Sequence, residues 1–121
     1  MPFENPIQRL RDISESIDAI QTFTAGMSFE EFAADIKTLY AVIRALEIIS
    51  GASRRLPDAL KDRHPAIDWV AVAAAGNVYR HEYDAVDESL VWHTVQHGLA
   101  PLREAVKIEV QGAEQTGAPE D

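Results

Sequence analysis

Apolar residues recur at spacings of three and four along most of this chain. Leu10, Ile13, Ile17 and Ile20 fall on one side of a helix, and Arg9, Arg11, Asp12, Glu15 and Asp18 lie largely off that side. The spacing predicts a helix over about residues 6–23. Asn5 can cap it, and Pro6 suits the first helical position, where a missing N–H removes no intrahelical bond. Gly26 then breaks the pattern. In MSFEEF, Ser28 and Glu31 have the spacing of a capping box, with Met27 and Phe32 placed as a staple, so a short helix is expected over 28–35. Leu39, Val42, Ile43, Leu46 and Ile49 predict a third helix over 36–56, weakened at Gly51 by about 1 kcal/mol relative to alanine.

Pro57 marks a turn. LPDALKDRHPAIDW reads as a short helical turn, a loop at His64 and Pro65, and a new helix over about 68–74. Asp87 can cap a last long helix over 88–109, whose apolar face is Leu90, Val91, Val95, Leu99, Leu102 and Val106. Pro101 lies inside that pattern and should bend it, because proline removes one backbone bond. No stretch alternates as a strand does. The expected fold is all-α, an antiparallel bundle of four main helices plus short ones, occupying residues 1–110. The polar segment 111–121 has no periodicity and is expected to be disordered.

Composition narrows the function. With 121 residues and 46% hydrophobic content, the chain can form one core. It has no cysteine, which excludes disulfides, thiolate metal sites and a cysteine nucleophile. No apolar run approaches the roughly 20 residues of a membrane span, and the N-terminus lacks the pattern of a signal peptide. A cytoplasmic protein is the expectation. The net charge of −9, from 11 basic and 20 acidic residues, argues against passive nucleic-acid binding over a broad basic surface. A local basic site remains compatible with it.

A few groups of residues bear on chemistry. His93 and His97 are spaced to share one helix face, but neither the zinc-protease nor the di-iron pattern surrounds them, so no metal site is expected. Phosphate-binding glycine loops are absent. Arg54, Arg55, Lys61, Arg63 and His64 form a basic cluster, read either as solvated helix ends or as a docking patch for an acidic partner or an RNA backbone. The remaining feature is the strip AAAGNVYRHEYDAVD, residues 73–87, which gathers Tyr79, Arg80, His81 and Tyr83. Histidine moves protons near neutral pH. RNA cleavage needs a base for the 2′-hydroxyl proton and a cation for the charge on the phosphorane. Arg80 adjoins His81, yet helix neighbours point about 100° apart, so the two do not readily serve one phosphate.

The ordered segments FTAGMSFEEF, KTLYAVIRALEIISGASRRL, HPAIDW, HEYDAVDESLVWHTV and LAPLREAV resemble the HepT-like proteins of the HEPN superfamily. The resemblance implies an all-α homodimer with clefts along the shared interface. It also implies metal-independent ribonuclease activity, no cofactor, and a minimal nucleotidyltransferase as the antitoxin partner. The family signature is Arg, a polar residue, three others, His, one residue and Tyr. His81 and Tyr83 match the last two, and Asn77 matches the polar residue. The Arg position falls on Gly76. Ala45 stands where members often have Asn, and Ser50-Gly51-Ala52 where they often have Gly-Glu-Ala. The implied catalytic set is therefore His81, Asn77 and Tyr83, with the cation lost at Gly76 and Arg80 or Arg44 as substitutes. Tyr83 is also the implied acceptor of AMP from the partner. Two functions follow: a ribonuclease toxin with a degenerate site, or a non-catalytic interaction module that binds the nucleotidyltransferase.

Overall fold

The computed structural model describes residues 6–81 and 87–115, with side chains described for 6–75 and 87–113. The expected cap at Asn5 lies outside them. Among the described residues seven α-helices run in the order α1 (Pro6–Thr24), α2 (Phe29–Ala34), α3 (Ile36–Arg54), α4 (Asp58–Asp62), α5 (Trp69–His81), α6 (Glu88–His93) and α7 (Leu99–Gln115). One π-turn, Thr94–Gly98, joins the last two. No strand occurs among the described residues, so the chain is all-α.

The apolar stripes became the core. Leu10, Ile13, Ile17 and Ile20 of α1 are buried, as are Leu39, Val42, Leu46 and Ile49 of α3. The helix α1 packs against both α3 and α7, and α3 packs in turn on α5. Arg9 and Asp12 from the start of α1 line one pocket with Gly51, Ala52 and Arg54 from the end of α3, so these two helices run antiparallel. Arg103 of α7 donates to Asp18 and, at 2.7 Å, to Gln21 on α1.

The local signals for helix ends are realised. Ser28 Oγ accepts from the Glu31 N–H at 3.1 Å, while Glu31 Oε1 accepts from the Ser28 N–H at 2.9 Å. These satisfy two donors that a helix start leaves without intrahelical partners. Asp87 Oδ1 accepts from the N–H groups of Ser89 and Leu90 at 3.0 and 3.2 Å, which starts α6. Gly26 takes φ of 74°, the left-handed conformation that glycine adopts without steric cost.

Three expected boundaries moved. The helix predicted over 68–74 continues to His81, because its alanine-rich run favours helix and propagation needs only one bond per added residue. The last helix reaches Gln115, five residues into the segment expected to be disordered. It is also not one helix. Pro101 falls in the first turn of α7, where its missing N–H is tolerated, and the π-turn lies directly upstream.

The π-turn explains a phase problem in the sequence. Val91 and Leu99 are both buried. In an unbroken α-helix the eight steps from one to the other advance about 800°, some 80° past two full turns. The extra residue of a π-turn takes up about 100° of rotation and brings Leu99 back near the face of Val91. Leu90, assigned by the sequence to the same face, is instead 44% exposed.

The loop before α5 is fastened to α7 by charge. Glu109 accepts from Arg63 at 2.6 and 3.1 Å and lies 2.6 Å from His64 Nε2. The Arg63 bond, with help from His64, holds the Glu109 carboxyl below the usual carboxylate range against the opposing effect of burial. A lowered native value contributes stability that is full above the unfolded carboxyl's pKa and is lost as pH falls through the native one. The urea midpoint should therefore fall on acidification through that range, and Glu109→Gln should flatten this part of the profile.

Candidate active site

The helix α5 carries the motif. It places Gly76, Asn77, Arg80 and His81 on one continuous helical backbone, in its last two turns. Asn77 and His81 are four residues apart, so they fall on one face of the helix. The side chains of residues 76–81 and the whole of Tyr83 lie outside the described residues.

Around α5 the described side chains are explicit. Ser50 Oγ of α3 donates to the Val72 carbonyl at 2.7 Å, and Arg54 Nη1 donates to the Ala73 carbonyl at 2.6 Å. Two bonds thus tie α3 to the turn of α5 that precedes Gly76. Sequence reasoning missed both. Ser50 registered only as a departure from the family pattern, and Arg54 only as one of a basic cluster. A serine inside an otherwise apolar helix stripe was the available signal, since a buried hydroxyl needs a partner.

The candidate substitute cations differ. Arg44 is exposed and bonded to Glu47 at 3.3 Å on its own helix. Such surface pairs are weak, and this one leaves the guanidinium facing solvent. The basic cluster, read as one patch, is split by the fold: Arg63 and His64 turn to Glu109, while Arg54 turns to α5. Ala45 is buried in the core, and Ala52 likewise.

The His93 and His97 rings lie 4.6 Å apart at the start of the π-turn, and both residues are exposed. Among the described residues no group of three or more His, Cys, Asp and Glu is arranged to hold a metal ion. No helix of the described residues is long and apolar enough to cross a membrane.

An all-α domain with Asn and His one turn apart near the end of a helix is the setting that the HEPN signature requires. The family model described as "Ribonuclease HepT-like" matches residues 13–108, and the chain belongs to that family. A relative named "Probable ribonuclease HepT", from Thermococcus cleftensis, is 43% identical over 78% of this chain and 86% of its own length. "Putative RNase MJ1380" of Methanocaldococcus jannaschii is 33% identical over 82% of this chain and 91% of its own. A protein of Caldanaerobacter subterraneus with an RNase name of the same form is 29% identical over 89% and 96%. No solved structure matches the chain.

Proposed function

We propose that this chain is a HepT-type endoribonuclease whose site is weakened by glycine at position 76. Family membership across residues 13–108, with Asn77 and His81 one turn apart on α5, carries this reading. His81 acts as the base that takes the proton from the 2′-hydroxyl. The freed 2′-oxygen attacks the adjacent phosphorus to form a 2′,3′-cyclic phosphate, and the P–O5′ bond breaks as the leaving 5′-oxygen takes a proton from water. Asn77 contacts the phosphate, and Tyr83 lines the cleft. No step requires a metal ion.

The protein works as a homodimer in the cytoplasm, paired with a minimal nucleotidyltransferase as antitoxin. Phe23 and Ile48, both exposed along the groove between α1 and α3, support a second copy as a neighbour. Tyr83 keeps its hydroxyl as an acceptor for AMP whatever stands at position 76.

Gly76 and the charge of −9 favour a second reading, a non-catalytic module that binds the nucleotidyltransferase. One assay separates the two. Purified protein is incubated with RNA in the presence of a chelator, beside His81→Ala. The ribonuclease reading expects cleavage by the wild type and at least a hundredfold less by His81→Ala, the scale of a lost general base. Equal, background-level cleavage by both would leave the interaction module.

A further inference from the structure

The chain is strongly acidic, yet three guanidiniums meet in one place. A polar cavity of about 330 Å³ opens between the start of α1 and the end of α3, lined by Arg9, Arg54 and Arg55 with Gly51 in its wall. Asp12 is the one carboxylate among these lining residues, and its oxygens already accept from Gln8 and Arg9, each at 2.9 Å. Three guanidiniums against one carboxylate leave an excess of two positive charges. Among the described residues, neither Arg54 nor Arg55 is paired with a carboxylate.

Gly51 keeps this space open. A Cβ placed there would have Arg54 Nη2 as its nearest neighbour at 3.9 Å, which is ordinary contact. A longer acidic side chain at 51 would fit without a clash at its first carbon and would come to lie beside that guanidinium.

Arg54 also reaches the backbone of α5. The Ala73 carbonyl that it holds is the acceptor whose α-helical partner is the N–H of Asn77. The guanidinium from α3 thus sits at the turn of α5 that leads into Gly76 and Asn77. It is fixed there by a bond that leaves its other N–H donors available to a ligand.

We propose that this pocket binds a phosphate group of the RNA strand, with Arg54 as the cation that position 76 does not supply. The proposal rests on the ribonuclease reading above. Planar guanidiniums match the oxygens of a phosphate, and two of them around one pocket suit a singly charged phosphodiester. In an otherwise acidic protein the site gives the RNA backbone a local attractive point that the net charge hides.

The test is binding of a 2′-O-methylated single-stranded RNA, which cannot be cleaved by 2′-hydroxyl attack, measured by fluorescence anisotropy at several salt concentrations. Arg54→Gln and Gly51→Glu should each weaken affinity about tenfold, the scale of one charge-assisted contact, and lower the salt slope by about 0.7 for the lost phosphate contact. Lys107→Gln, on a different groove, should bind as the wild type does. Unchanged affinity in Arg54→Gln and Gly51→Glu overturns the pocket, and His81-dependent cleavage that persists alongside leaves the ribonuclease reading standing. Absence of RNA binding by the wild type overturns both. Arg54→Gln that unfolds at lower temperature but binds normally marks Arg54 as a helix-end charge only, and the proposal falls. An NMR titration separates the sources: Gly51 amide shifts with inorganic phosphate but none with RNA would assign the pocket to free phosphate and overturn its role in RNA binding.

Discussion

On the ribonuclease reading, Gly76→Arg is expected to raise the rate of RNA cleavage, by about two orders of magnitude where no other cation serves the phosphate. The substitution restores charge on the helix that already carries Asn77 and His81. Helix propensity favours the change, because glycine is the poorer residue in a helix interior and arginine gains up to about 1 kcal/mol there. Two controls isolate the charge. Gly76→Ala stiffens the helix without adding a cation and should leave the rate near that of the wild type. Adding His81→Ala to Gly76→Arg should remove the gain. The background matters as well. If Arg54 supports the phosphate, the full gain appears in Arg54→Gln, and the wild type gains less by the amount Arg54 supplies. The double-mutant cycle reads that coupling directly. An intact Gly76→Arg protein that cuts no faster in either background would sink the idea of a lost cation.

Phe32→Ala is expected to cost about 3–5 kcal/mol of stability, the range for truncating a fully buried aromatic. Phe32 is 0% exposed, and its ring packs 5.0 Å from that of Trp92 on α6, with Phe29 edge-on to the same indole at 6.3 Å. A six-residue helix cannot hold itself in place by propensity. This aromatic contact is what seats α2 against α6. Urea denaturation should show a lower midpoint at an unchanged slope, which marks lost packing rather than a changed unfolded state. Phe32→Leu should retain most of the stability by keeping the site filled. The functional stake is that the cap of α6, Asp87, lies only four residues after Tyr83 in the sequence. A loss below about 1 kcal/mol would show that the aromatic cluster is peripheral.

The stripes in α1 and α3 were legible because each repeats over several turns, and burial follows the repeat. The caps at Ser28 and Asp87 were legible because capping is local chemistry between residues three or fewer apart. The extent of α5 was not, because a run of alanines gives no periodic signal and Gly76 reads as a stop. The π-turn was foreseen only as a bend at Pro101, since sequence pattern marks where a helix must adjust but not how. Of the candidate site, the roles proposed for Asn77, His81 and Tyr83 rest on spacing together with family likeness. What surrounds them could not. Arg54 meets α5 across nineteen positions of sequence, and Glu109 meets Arg63 across forty-six. Such contacts depend on how helices dock, which no local pattern encodes.

The π-turn lets this segment carry one residue more than a regular helix would place between Val91 and Leu99. Removing one residue from 94–98 would let a regular α-helix form through it with Leu99 still near the face of Val91, since seven steps advance about 700°. Closing the turn to a regular helix at the present length would instead rotate everything downstream by about 100°. Leu102 and Val106 would leave the core, Arg103 would swing off Asp18 and Gln21, and Glu109 would lose Arg63 and His64. The surplus residue is thus a local detour that keeps two stretches of core in step, and a one-codon deletion there straightens the path without moving its ends out of phase.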